Sequence, residues 1–167
     1  MKTLDIGCGK KKLKDSIGLD IVKYEGVDVI SDLNKSHYPF KEKTFNIINC
    51  DDVLEHLEDL TLVLKELNRI LKDNGKIIIR VPHFSNFWAF TDPTHKKFFG
   101  YKTFEYYCGM QEENCLNLFK ISKRKITFGS FFKIFERLFN KFPGLYENRF
   151  AFIIQAYELH VVLEKKL

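Results

Sequence analysis

The sequence of 167 residues has no hydrophobic run long enough to span a bilayer, and its opening residues, MKTLDIGCGK, lack the apolar stretch of a signal peptide. Its four cysteines form neither a CxxC pair nor the spacing of a disulfide framework. Internal repeats and low-complexity tracts are also absent. These absences argue against a membrane-spanning protein and a disulfide-rich secreted one. We expect a cytoplasmic protein whose thiols are reduced.

The composition is typical of a globular protein. Hydrophobic residues make up 45% of the chain and charged residues 29%, and the length suffices for one domain with a single core. The net charge of +5 permits an anionic substrate but does not require nucleic acid. The 17 phenylalanines are concentrated after residue 83, so the two halves of the chain differ in chemistry.

The first half has the pattern of a parallel sheet. Short apolar runs alternate with loops, and one amphipathic helix with a leucine stripe from Leu57 to Leu71, ended by Asn74–Gly75, precedes the fifth run. A strand, a helix and a strand in this order predict a βαβ unit. The five predicted strands are Thr3–Ile6, Ile17–Ile21, Val27–Ile30, Phe45–Asn49 and Lys76–Val81.

The other elements complete a doubly wound, Rossmann-like and mostly parallel α/β sheet. The links after the first two strands are too short for ordinary crossover helices, so we expect those helices to be reduced or missing. In the second half we predict strands at Phe119–Phe128 and Tyr157–Lys166, and an amphipathic helix at Ser130–Phe142.

Two glycines directly after the first strand carry the strongest functional signal. In LDIGCGK, Gly7 and Gly9 lie where ligands bind to open α/β sheets, at the carboxyl end of a strand. The third glycine of a dinucleotide fingerprint and the GK[ST] of a P-loop are both missing. The preceding Asp5 would repel phosphate and suits a ligand with a positive centre.

On these residues the chain resembles the class I S-adenosylmethionine-dependent methyltransferases, in particular their small type 11-like branch. Asp5, Gly7 and Gly9 match the family's acid-x-Gly-x-Gly motif, and the resemblance extends over about residues 3–99. In the family, the acid matched by Asp20 holds the ribose hydroxyls. The resemblance implies S-adenosyl-L-methionine as cofactor, bound by Asp5, Gly7, Cys8, Gly9, Asp20, Asp32, Leu33, Cys50 and His56.

The segment DPTHKKFFGYKTFE resembles a stretch that follows the fifth strand in a subset of these enzymes, which implies that Asp92 and His95 line the acceptor pocket. His95 would then act as base or orienter. Alternatively, Asp92 caps a turn at Pro93, and His95 caps or packs against the next helix. His83, Asp92 and His95 also qualify as metal ligands, but such spacing arises readily by chance, so no metal is predicted.

We therefore expect one methyltransferase domain over residues 1–167, with a cofactor-binding half at 1–82 and an acceptor-binding half at 83–167 that forms a lid or completes the sheet. The expected reaction is methyl transfer to a small-molecule acceptor. A non-catalytic donor-binding domain and an RNA methyltransferase are the alternatives. For the aromatic cluster at Phe84–Phe99 we expect mostly core packing, and for the Ser130–Phe142 helix core or homodimer packing rather than a membrane surface.

Overall fold

The computed structural model describes residues 1–110 and 115–166, and its seven strands form one sheet. The order across the sheet is β3-β2-β1-β4-β5-β7-β6. Strands β1 to β5 run parallel to one another, and β7 runs antiparallel to both of its neighbours. The strands are β1 Thr3–Ile6, β2 Ile17–Asp20, β3 Val29–Ile30, β4 Phe45–Asp51, β5 Leu71–Pro82, β6 Phe119–Phe128 and β7 Ala156–Lys165.

This architecture confirms the predicted doubly wound, mostly parallel α/β sheet. The bounds of β1 and β6 are those that the sequence predicts, and the other strands differ only at their ends. The sheet interior is apolar, with Leu4, Ile6, Ile48, Ile77 and Val81 all buried. Strands that are covered on both faces need apolar side chains on both faces, which is why continuous apolar runs in the sequence predicted these strands.

The helices are few and short. Helix α1 spans Leu60–Ile70, α2 Trp88–Thr91, α3 Glu136–Lys141 and α4 Pro143–Arg149, and 3-10 helices occupy Leu54–His56, Thr103–Tyr107 and Ser130–Phe135. Between β1 and β2, and between β2 and β3, the described residues contain no helix, as the short links predict. No helix within residues 1–110 and 115–166 has the length and apolarity to cross a membrane.

Helix α1 ends earlier than predicted. Its amino terminus is capped by Asp59, whose side chain accepts from Leu62 N–H at 3.0 Å, and its last residue is Ile70. Leu71 already pairs with Phe45 of β4, so β5 begins immediately. The predicted stop at Asn74–Gly75 is therefore wrong: that turn is an irregularity within β5, because pairing with β4 ends the helix first.

Two expectations about the aromatic half are also wrong. In the first cluster Phe99 is buried, whereas the side chains of Phe87, Trp88, Phe90 and Phe98 are exposed. The segment predicted as one helix at Ser130–Phe142 divides into a 3-10 helix and α3. Of its apolar face only Phe139 is buried, while the exposed side chains are Phe131, Ile134, Phe135, Leu138 and Phe142. Amphipathic spacing gives the face of a helix but not what covers it.

The irregular chain between β3 and β4 is fastened to α1 by a buried carboxylate. Glu66 accepts from the backbone N–H of Tyr38 at 2.8 Å and from Arg69 Nη2 at 2.6 Å. Arg69 in turn donates to the carbonyl of Phe40 at 2.9 Å. Since Glu66 is only 6% exposed, its removal leaves a buried N–H and a guanidinium without their acceptor.

We expect Glu66→Ala to lower the free energy of unfolding by about 2 kcal/mol, because a buried donor loses its partner. Urea denaturation of both proteins measures the difference. Asp73→Ala is the control, since it removes an exposed pair with Lys43 and should leave the midpoint unchanged. Equal midpoints for Glu66→Ala and the unmodified protein would contradict the assigned role of Glu66.

Candidate active site

A first cleft of about 410 Å³ opens at the carboxyl ends of β1 and β4. These strands are neighbours, but β1 continues to β2 on one side and β4 to β5 on the other. The cleft thus lies at the switch point of the sheet, where open α/β folds bind ligands. Its lining residues are Asp5, Gly7, Cys8, Gly9, Lys10, Lys11, Leu13, Tyr24, Asn49 and Asp51.

The glycine loop shapes this cleft. Gly7 and Gly9 have φ angles of +63° and +53°, in the left-handed region that favours glycine. A Cβ at Gly7 would lie 2.4 Å from Val53 Cγ2, so glycine there also permits close packing. A Cβ at Gly9 would meet no atom within 4 Å, because the backbone of Gly9 faces open space.

Two buried carboxylates hold the loop in place. Asp5 accepts from Leu13 N–H at 2.9 Å and from the side-chain amide of Asn49 at 2.8 Å. Asp20, at the end of β2, accepts from Gly9 N–H at 2.8 Å and from Val22 N–H at 2.9 Å. Asp20 itself is not among the residues that line the first cleft. Its visible role is to position the backbone of Gly9.

The remaining residues predicted to contact the cofactor are dispersed. Asp32 accepts from Asn34 N–H at 2.9 Å in its own turn, and Leu33 is buried in the core. Cys50 is fully buried, and burial raises the pKa of its thiol well above the ordinary value. Cys8 does line the first cleft, and burial together with Asp5 and Asp20 raises its pKa to about 11. Cofactor contacts by Asp32, Leu33 and Cys50 stay predictions.

A second cleft, of about 300 Å³, lies beside the first at the carboxyl ends of β4 and β5. The structure brings His56, Asp92 and His95 together in it, so His56 does not share the first cleft with Asp5, Gly7, Cys8 and Gly9. His83 is not part of this cleft: it is buried and hydrogen-bonded to Ser85 and Glu147. The lining residues are Asp52, Glu55, His56, Arg80, Pro82, Asn86, Trp88, Asp92, His95, Tyr157 and Glu158.

Hydrogen bonds fix the orientation of both histidines in the second cleft. His95 Nδ1 lies 3.0 Å from the carbonyl of Ala89, and His56 Nδ1 lies 2.8 Å from Thr94 Oγ1. The hydroxyl oxygen and the backbone nitrogen of Thr94 also lie 2.6 Å and 2.8 Å from Asp92 Oδ1. Asp92 thus caps the turn, as the alternative interpretation holds, and also connects to His56 through Thr94.

The imidazole rings of His56 and His95 lie 4.8 Å apart between centroids, in an edge-on arrangement. Burial, followed by the neighbouring His95, lowers the pKa of His56. A lowered pKa favours the neutral imidazole, which is the form that accepts a proton or binds a metal.

Arg80 lines the second cleft and binds Asp51 of the first, and it was missed by the sequence analysis. It donates to Asp51 and to Glu158 Oε1 at 2.5 Å, and its Nη2 forms an ion pair with Asp52 Oδ2 at 2.8 Å. These carboxylates raise its pKa further. Asp52 has a φ angle of +47°, a strained value for this residue. A single arginine in the apolar run KIIIRVP was the available signal, since a charge in a buried strand needs a partner.

Glu55 is the most unusual group in the second cleft. Its side chain is 1% exposed, and among the described residues neither carboxylate oxygen has a hydrogen-bond partner. Burial raises the pKa of Glu55 to about 8, with a further contribution from Asp52. Its backbone carbonyl accepts from Lys96 N–H at 2.7 Å, which keeps the His95 segment against it.

Comparisons with known proteins agree with this geometry. A family model described as a methyltransferase domain matches residues 1–104. The protein MJ0638 of Methanocaldococcus jannaschii is 30% identical over 130 residues, which cover 72% of this chain and 57% of that protein. The chain therefore spans little more than half the length of this relative.

Solved structures share the fold. A S-adenosylmethionine-dependent methyltransferase from Archaeoglobus fulgidus is 19% identical, with a TM-score of 0.65 over 99% of this chain and 86% of that one. A Haloferax volcanii structure of the Trm112 methyltransferase activator with its methyltransferase is 14% identical, with a TM-score of 0.61 over 99% and 83%. With its strand order, this likeness shows the class I S-adenosylmethionine-dependent methyltransferase fold. Because the family model covers more than half of the sequence, the chain belongs to the methyltransferase domain family.

Proposed function

We propose that the chain binds S-adenosylmethionine in the first cleft and transfers its methyl group to a small-molecule acceptor in the second cleft. The observation that carries this proposal is the junction of the two clefts. Asp51 lines the first cleft and its neighbour Asp52 lines the second. A donor and an acceptor held on either side of this junction would meet in the arrangement that an in-line displacement requires.

The residues of the first cleft fit S-adenosylmethionine. The open space at Gly9 lets a ligand approach the backbone closely, and the cleft volume is in the range of small-ligand sites. Tyr24 and Leu13 offer apolar surface to an adenine ring, Asp51 offers negative charge to the sulfonium and amino groups, and Lys10 offers positive charge to the carboxylate. When bound, the donor supplies an already activated methyl group.

The side chains of the second cleft orient the acceptor and manage its proton. Trp88 and Tyr157 provide aromatic walls, and His95 presents its Nε2 because Nδ1 faces the Ala89 carbonyl. We assign His95 as base or orienter of the acceptor. Asp92 acts indirectly as a positioning residue, since it holds Thr94 against His56.

Two further parts of the proposal concern the setting of the reaction. The apolar face that includes Phe131 and Ile134 is exposed, which supports homodimer formation. The Haloferax volcanii neighbour is in a complex with an activator, so a second protein is an alternative to self-association. Buried thiols at Cys8, Cys50 and Cys108 that form no disulfide support a cytoplasmic location.

We expect Gly9→Ala to weaken binding of S-adenosylhomocysteine at least about 10-fold, because the methyl group enters the cleft and the left-handed φ strains the loop. Isothermal titration calorimetry measures the affinity. Gly26→Ala is a matched control, with a φ of +91° and open space around a Cβ, but outside the first cleft. Equal affinities for the Gly9→Ala protein and the unmodified protein would place the donor elsewhere.

We expect Asp20→Ala to leave the protein folded but to lower affinity for S-adenosylhomocysteine, because the N–H groups of Gly9 and Val22 lose their acceptor. The loss of two hydrogen bonds should reduce the free energy of unfolding by about 1–3 kcal/mol. Calorimetry and urea denaturation measure the two effects. Asp20→Asn retains one acceptor oxygen and should have intermediate stability. Unchanged affinity in Asp20→Ala would disprove the positioning role.

The transfer itself is tested with methyl-labelled S-adenosylmethionine and the small-molecule fraction of a cell extract. We expect label in that fraction, and we expect His95→Ala to lower the rate about 10²–10⁴-fold without changing affinity for S-adenosylhomocysteine. His37→Ala is the control, because it changes an exposed histidine that does not line the second cleft. Label that enters total RNA instead would establish the RNA alternative, and donor binding without any transfer would establish the non-catalytic one.

A further inference from the structure

The second cleft contains an excess of negative charge. Besides Glu55, the acids Asp52, Asp92 and Glu158 line it, whereas Arg80 is its single arginine or lysine among the described lining residues. The nearby Lys96 pairs with Glu58 at 2.7 Å and is not part of the lining. A surplus of carboxylates around a partly enclosed space attracts a cation.

The buried Glu55 side chain lacks the partner that such a group needs. A carboxyl group removed from water is normally hydrogen-bonded or paired with a cation, and Glu55 has neither partner among the described residues. One of its oxygens lies within 4.8 Å of a ring nitrogen of His56 and of a ring nitrogen of His95, and these two nitrogens also lie within 4.8 Å of each other. The carboxyl group and both imidazoles therefore lie close enough together to share one ion.

The hydrogen bonds of the two histidines leave matching nitrogens available. A backbone carbonyl only accepts, so His95 Nδ1 carries the hydrogen that faces Ala89. Asp92 as a carboxylate also only accepts, so the Thr94 hydroxyl donates to it and receives a hydrogen from His56 Nδ1. In the neutral form of either imidazole, the lone pair is then on Nε2. Metal-bound histidines typically donate their other ring N–H in the same way, to a backbone carbonyl or towards a carboxylate.

We propose that Glu55, His56 and His95 bind a divalent first-row transition-metal ion in the second cleft. Two imidazoles and one carboxylate suit zinc, iron or cobalt and disfavour magnesium, which prefers oxygen ligands. Ligands at about 2.0–2.2 Å from one ion lie roughly 3.4 Å apart in a tetrahedral site. Small side-chain rotations would draw the three groups together from their present separation of up to 4.8 Å.

The role of the ion rests on the proposed function, while its binding does not. Three protein ligands leave a coordination position open, as in catalytic sites. An ion there would bind an acceptor through a hydroxyl oxygen and lower the pKa of that hydroxyl group, so we narrow the acceptor class to small molecules with a hydroxyl group. On transfer the carbon–sulfur bond breaks with its electron pair kept by sulfur, an oxygen–carbon bond forms, and the hydroxyl proton passes to solvent. His95 would orient the acceptor through the ion.

The test uses the full chain, freed of metal by a chelator, and titrates it with Co²⁺ while the visible absorption of the ion is recorded. We expect d–d bands that saturate at one equivalent, displacement of Co²⁺ by Zn²⁺ and no displacement by equimolar Mg²⁺. Thr94→Val removes only the supporting hydroxyl and should weaken Zn²⁺ binding about 10-fold. We expect a larger loss of Zn²⁺ affinity in each of the ligand variants, which are Glu55→Gln, His56→Ala and His95→Ala.

Matched controls are Glu58→Gln and His37→Ala, which change an exposed carboxylate and an exposed imidazole outside the cluster and should bind Zn²⁺ like the unmodified protein. Thermal unfolding in chelator verifies that each variant is folded. An unmodified protein without saturable bands, or a Glu55→Gln protein with unaltered affinity, would overturn the metal site. S-adenosylhomocysteine binding, measured on the same samples, reports separately on the first cleft and thus on the proposed function.

Discussion

The attachment of the glycine loop to the sheet by two buried carboxylates is the constraint on which the rest of the structure depends. Asp5 connects the loop at Leu13 to Asn49 of β4, and Asp20 connects Gly9 to the end of β2. The link between β1 and β2 contains no helix, and side-chain hydrogen bonds hold it to the sheet. Three neighbouring strands and the loop thereby form one unit.

The order of the strands sets the position of the two clefts relative to each other. β4 lies between β1 and β5, and its last residue Asp51 is followed by Asp52 in a strained conformation. Arg80 on β5 binds both of these carboxylates as well as Glu158 on β7. One guanidinium thereby joins the parallel part of the sheet to its antiparallel strand, at the place where the clefts adjoin. Its charge compensates acids that would otherwise repel one another.

The aromatic half of the chain builds a surface as well as a core. Phe99 and Phe104 stack inside it at 5.6 Å between centroids, whereas Trp88 stays exposed beside the second cleft. Large exposed apolar side chains lower solubility, and their presence on a surface is typical of binding sites. The same stretch carries His95 to the side of Glu55, because the backbone of Lys96 bonds to the Glu55 carbonyl.

The sequence by itself determined the class of fold and the position of the first cleft. Apolar runs such as Thr3–Ile6 must be covered on both faces, and Gly7 and Gly9 permit the left-handed turn, so both signals are local. Only the tertiary structure decided that α1 ends at Ile70, since pairing with β4 overrides the later turn. It also decided that Glu55, His56 and His95 converge, because groups about 40 residues apart meet through sheet order, which residue spacing does not contain.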